Sequence, residues 1–167
     1  MYKRILLPLD GSKLAECALP HAVELAKGRD ELEVMLISVT EQLRGTTRAP
    51  EARERYYSSD DPGVEKAGLD MTVTFGKLEG QALRYLSRTA RKLEAKGIKV
   101  STEVLFWPPA EAIVGYAEEN DVDLIVMSSH GSSGPSRRPH GRVADKVLKT
   151  SPVPVLMVRA LGCTPEL

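Results

Sequence analysis

The chain has 167 residues, 23 Lys+Arg balanced by 23 Asp+Glu, and 42% hydrophobic content. That is the length of one domain of about 100–200 residues and the composition of a folded chain, which argues against disorder along its whole length. Zero net charge excludes the overall basic footprint of a nucleic-acid-binding domain. No stretch approaches the roughly 18–20 apolar residues of a membrane span. Two cysteines without a CxxC build neither a disulfide framework nor a structural zinc site.

The first apolar run, Ile5–Pro8, is too short for the core of an export signal. The expectation is a cytoplasmic protein with Cys17 and Cys163 as reduced thiols. Ile5–Pro8 reads as a buried strand ending in the Asp10-Gly11-Ser12 turn. After Ser12, a candidate N-cap, Leu14, Ala18, Ala22 and Leu25 recur at helical spacing until Lys27-Gly28. Leu32–Val39 is a second, near-continuous apolar run, as expected of a strand covered on both faces. Residues 40–75, with Pro50, Pro62, Tyr56 and Tyr57, read as a long, polar, partly mobile excursion.

Helical spacing returns over 78–96 through Leu83, Leu86, Ala90 and Leu93. Ile98–Leu105 alternates, which predicts a half-exposed strand at a sheet edge. Trp107 reads as a packing residue before Pro108-Pro109 opens a helix carrying Ala112, Ile113, Tyr116 and Ala117. Asp123–Met127 is a fourth strand, Val143–Leu148 a short helix and Val153–Val158 a fifth strand. Strands separated by helices predict an α/β fold: a single open five-stranded parallel sheet, Rossmann-like, with helices on both faces and right-handed crossovers. The domain spans 1–160, and 161–167 is a loose tail.

In such sheets a ligand binds beyond the carboxyl ends of the strands, at the switch point. Pro8-Leu9-Asp10-Gly11, Ser38-Val39-Thr40 and the loop from Met127 through Gly134 all end there. From Ser128 to Ala144 the chain carries Arg137, Arg138 and Arg142, two histidines and no acid. Small residues admit close backbone approach to an anion, and the following helix N-terminus favours negative charge. A polyphosphate accounts for this basic excess, and so does a solvated surface loop. There is no G-x-x-x-x-G-K-[ST], no G-x-G-x-x-G and no G-x-S-x-G. A P-loop ATPase, a dinucleotide dehydrogenase and an α/β-hydrolase are therefore unsupported.

Several segments together resemble the universal stress protein family, from Lys3 to Ala160. They are Ile5–Ser12, Pro109-Ala110-Glu111-Ala112-Ile113, Asp123–Gly131, Val143–Val147 and Ser151–Leu156. The resemblance implies an adenine-nucleotide alpha hydrolase-like fold and a stress-response sensor or regulator that binds ATP. Mg²⁺ would accompany the triphosphate. The family's nucleotide-binding pattern, G-x2-G-x9-G-[ST], places Ser128 at the first glycine, Gly131 and Gly141 at the next two, and Arg142 at the hydroxyl position. Serine is costly at the first position only if φ is positive there. Arginine replaces a hydroxyl donor with a cation able to pair with phosphate.

The resemblance further implies that Asp10 accepts hydrogen bonds from ribose hydroxyls. On sequence alone Asp10 is equally a turn or capping residue. Val39 would meet the adenine, with Pro8 and Leu9 walling its pocket; the residue-level alternative is a core valine. Gly131, Ser132, Gly141, Arg142 and Val143 would surround the phosphates, with Met127, Ser128 and His130 at the loop entrance. No catalytic residue and no protein metal ligand is assigned. The resemblance also implies a homodimer through the last strand, with Val153, Val155 and Met157 at the interface. Two other readings stay open. One is a dimeric interaction protein whose altered motif holds no nucleotide; the other is a slow ATPase using Asp10 or His130.

Overall fold

The computed structural model describes residues 2–40, 62–131, 140–160 and 163, with the backbone alone over 62–76. Five strands, β1 (Arg4–Pro8), β2 (Glu33–Val39), β3 (Lys99–Leu105), β4 (Leu124–Ser128) and β5 (Val155–Val158), form one sheet in the order β3-β2-β1-β4-β5. Every pairing is parallel, with Ile5 opposite both Val34 and Leu124. The helices are α1 (Lys13–Glu16), α2 (Leu19–Ala26), α3 (Pro62–Glu94), α4 (Pro109–Glu119) and α5 (Arg142–Thr150).

Strand alternation sorts the core into two layers. Ile5, Leu7, Val34, Leu36, Leu124 and Val126 face one side with Ala18, Leu19, Ala22, Leu86 and Leu93. Leu6, Met35, Ile37, Ile125 and Met127 face the other with Ala110, Ile113, Ala117, Ala144 and Val147. The continuous apolar runs of β1, β2 and β4 follow from this double coverage. β3 lies at an edge and is only partly buried, as its alternation requires.

The strand order reverses between β1 and β4, so the chain leaves their carboxyl ends toward opposite faces of the sheet and a crevice opens between. Five expectations need correction. The helix expected over Ser12–Lys27 is two helices, because Pro20 lacks the N–H that would continue the first and instead sits in the opening turn of the second. The 62–75 part of the expected excursion is helical, since α3 runs without a break from Pro62. Proline suits a first helical turn, and Val64, Ala67, Met71 and Phe75 recur at helical spacing in register with Leu78. Tyr56 and Tyr57 lie outside the described residues. β5 begins at Val155, not Val153; Pro154 contributes only its carbonyl, which accepts from Ile125 N at 3.0 Å.

The fourth correction concerns the cysteines. Cys17 and Cys163 are joined in a disulfide across 146 residues, with Cα atoms 6.1 Å apart. The expectation of two reduced thiols fails because parallel winding returns the chain after β5 beside the turn between α1 and α2. Cys163 packs there on the first core layer. Trp107 is likewise not a packing residue: it is 53% exposed. Among the described residues no helix is long and apolar enough to cross a membrane.

Candidate functional site

The β1 arm of the crevice starts at Pro8. Leu9 is buried, and its N–H donates to Ile37 O at 2.8 Å, which extends the β1–β2 ladder by one residue. Asp10 follows, exposed, and one carboxylate oxygen accepts from Ser12 N at 3.0 Å. Gly11 takes φ +81°, a conformation that glycine adopts without strain. Ser12 then caps α1, its hydroxyl accepting from Ala15 N at 3.1 Å. Asp10 is therefore a turn residue, and its second oxygen points across the crevice.

It points at Gly131. A Cβ built on Gly131 would overlap Asp10 Oδ2 and lie 3.2 Å from its Cγ. Gly131 has no positive φ, so what favours glycine there is the close Asp10 carboxylate and not backbone freedom. Ser128 also has a φ outside the left-handed region, being the last residue of β4. Serine at the first position of the pattern thus carries no backbone strain. Its hydroxyl turns inward and donates to His130 O at 2.8 Å, bracing the turn.

Beyond Ser128 the chain is buried and polar. Ser129 N donates to Val158 O at 2.7 Å, which ties β4 to β5 past the last ladder pair. Ser129 Oγ accepts from Ala160 N at 3.2 Å and lies 3.1 Å from His130 Nδ1. His130 is 3% exposed, and its Nε2 has no hydrogen-bond partner among the described residues.

The chain leaves at Gly131 and comes back at Gly141, whose N–H donates to Ser129 O at 2.7 Å. Gly141 is the N-cap of α5, with φ −66° and no side-chain cap. Gly141 thus offers no side-chain oxygen to the first amides of α5. Arg142 is exposed at the first helical position and has no carboxylate within 4 Å among the described residues. Val143 is exposed; Val39 is half-buried at the end of β2 and packs on the second core layer; Met127 is buried. Ser132 lies outside the described residues, as do Arg137 and Arg138.

The rim therefore brings together Asp10, Gly131, His130 and Gly141, while Val39 closes its β2 side. Sequence reasoning gave no role to Ser129 or Ala160. It also missed Tyr85 on α3, whose hydroxyl donates to Glu16 Oε1 at 3.0 Å. Burial pushes the Tyr85 phenol up, and the Glu16 and Asp10 carboxylates add to the shift. No periodicity signals a tyrosine reaching from a helix 69 residues away. Two open clefts of about 350 and 410 Å³ sit at the opposite end of the sheet. They are lined by charges of both signs, including Lys27, Arg29 and Asp30 in one and Arg4, Glu33 and Asp121 in the other, with no convergent set.

A family model described as the universal stress protein family matches residues 1–159. The chain belongs to the universal stress protein family. Among family members, the protein MJ0577 of Methanocaldococcus jannaschii is 35% identical over 165 residues, covering 95% of this chain and 96% of its own. MJ0531 of the same organism is 34% identical over 160 residues, covering 95% and 83%. The solved MJ0577 structure superposes with a TM-score of 0.77 at 31% identity, covering 95% and 96%. The same fold, at TM-scores of 0.56 and 0.53 and identities of 19% and 14%, occurs in a universal stress protein solved with cAMP and in an Arabidopsis thaliana family protein solved with AMP. These cover 95% and 94% of this chain, and 98% and 91% of their own.

Proposed function

We propose that this universal stress protein binds an adenine nucleotide, ATP in particular, at the carboxyl ends of β1, β2 and β4, and acts through that binding as a stress-response sensor or regulator. One observation carries the reading: Gly131 stands so close to the Asp10 carboxylate that a Cβ there would overlap it unless the carboxylate moved. A hydroxyl-accepting carboxylate thus stands directly beside a glycine-edged, cation-rich loop at the switch point, as a ribose followed by phosphates requires. Two proteins of this fold, solved with cAMP and AMP, support the ligand class at the level of the fold.

The departures at Ser128 and Arg142 are compatible with this reading. Ser128 leaves the backbone unstrained and keeps its hydroxyl inside the turn. Arg142 sits at a helix N-terminus, where a cation opposes the macrodipole, and an anion between them removes that conflict. Pro8, Leu9 and Val39 would wall the base. His130, Gly131, Ser132, Gly141, Arg142 and Val143 would line the phosphates, with Met127 and Ser128 beneath. Mg²⁺ would be held chiefly by phosphate oxygens, since the described residues contain no cluster of three His, Cys, Asp or Glu suited to a metal.

Isothermal titration with ATP, paired with nucleotide assay of heat-denatured purified protein, tests the reading. Saturable binding or co-purified adenine nucleotide is expected; silence at millimolar ATP refutes it. A homodimer through β5 belongs to the same proposal. β5 is a sheet edge with Leu156 38% exposed, and Val155 and Met157 are half-buried beside it. The second reading, an interaction protein without nucleotide, is favoured by Arg142 alone and would leave the dimer intact when titration is silent.

A further inference from the structure

The disulfide lies behind the rim and joins its two arms. On one side, Asp10 leads through Gly11 and the Ser12 cap into α1, which ends against the fully enclosed Cys17. On the other, β5 continues to Ala160, whose N–H feeds Ser129 Oγ and through it His130. Cys163 N donates back to Ala160 O at 3.2 Å. The S–S bond therefore fixes the segment that supports Ser129 and His130 relative to the helix that carries Asp10. The chain holds no third cysteine, so the pair has one oxidised and one reduced state.

We infer that Cys17–Cys163 is a redox site that controls the rim: oxidised, it locks the Ala160–Ser129–His130 chain against the Asp10 arm, and reduced, it releases that chain and weakens ligand binding. The second half rests on the nucleotide reading above. The exchange partner is a low-molecular-weight dithiol–disulfide couple. In reduction, a dithiol thiolate attacks the protein disulfide, and its second thiol resolves the mixed disulfide. Two electrons and two protons pass to Cys17 and Cys163, and the reagent leaves as its cyclic disulfide. Attack enters at Cys163, which is half-buried, whereas Cys17 is 1% exposed.

The test uses the full chain poised in reduced and oxidised dithiothreitol mixtures. Alkylation followed by mass measurement should count no free thiol in the oxidised form and two in the reduced form. Amide hydrogen exchange at Ser129, His130 and Ala160 should accelerate on reduction by a factor at least tenfold larger than at Leu36 and Ile37, which report global opening. ATP should bind the reduced form at least threefold more weakly. Cys163→Ser, which keeps one thiol, should match the reduced form in hydrogen exchange and ATP binding in both mixtures. Two free thiols at every poise, or exchange at Ser129, His130 and Ala160 changing only as much as at Leu36 and Ile37, would overturn the inference. If neither form binds ATP, the nucleotide reading fails by itself, and thiol counting with hydrogen exchange still decides the redox site.

Discussion

Replacing Gly131 with alanine separates two reasons for a glycine in a phosphate loop. The backbone at Gly131 suits any residue, so the Cβ acts only through the Asp10 carboxylate it would overlap. That carboxylate is the end of a short side chain and can swing away. An off-rotamer or rotated Asp10 costs about 0.5–1.5 kcal/mol, and its bond to Ser12 N, 3.0 Å long and exposed, is worth about 0.5–1 kcal/mol. The expected destabilisation is about 1–2.5 kcal/mol, a fall in Tm of about 2–10 °C for a chain this long. Binding suffers more. A carboxylate displaced from the ribose loses charged hydrogen bonds worth about 1.5–3 kcal/mol, a loss of about 10- to 150-fold in ATP affinity.

Gly115→Ala, on α4 and outside the proposed site, is the control. A Cβ there meets nothing within 4 Å, and alanine suits a helix interior better than glycine. Titration calorimetry with ATP and thermal melts on both variants decide the matter. Should Gly131→Ala bind ATP as tightly as the parent and Gly115→Ala do, the Asp10–Gly131 juxtaposition is not what holds the nucleotide.

Breaking the disulfide, by reduction or Cys163→Ser, frees a loop of 146 residues in the unfolded chain. The chain-entropy relation gives about 5 kcal/mol, so Tm should fall by about 10–20 °C; an unchanged melt means the bond is absent in solution. Arg142→Ala should weaken ATP binding by about 1.5–3 kcal/mol and flatten its salt dependence, and unaltered affinity places the guanidinium in solvent. Asp123 sits below the ordinary carboxylate range because its oxygen accepts from Lys3 N, at 2.7 Å, and Arg4 N, at 2.9 Å. A depressed folded-state value means its contribution is fully present above about pH 3.9 and disappears as pH falls through the folded-state value. Asp123→Asn should therefore shallow the acid limb of urea midpoint against pH, and an identical acid limb in both proteins would contradict this.

The pattern and period of the chain showed much of this architecture. β1, β2 and β4 read as doubly covered because their apolar runs do not alternate, and β3 read as an edge because it does. The segment 62–75 is misread from sequence: Val64, Ala67, Met71, Phe75 and Leu78 recur at helical spacing, but Pro62-Gly63 and the polar stretch before them extend the reading of an excursion through it. At the site, Asp10 and the loop after β4 stood out by position and composition, whereas Ser129, Ala160 and Tyr85 did not. Their roles come from partners on other elements, and a hydroxyl or an alanine gives no local signal of which backbone group it will meet.

The sequence by itself determined the alternation of strand and helix, the two-sided core and the three segments that converge at the switch point, because periodicity and turn chemistry act within a few residues. Only the tertiary structure decided that Gly131 stands against the Asp10 carboxylate, that Ser128 is unstrained, and that Cys17 meets Cys163. Each of those depends on how parallel winding superimposes distant stretches of chain. The distances so created are set by the packing of helices on both faces of the sheet, which no local pattern encodes.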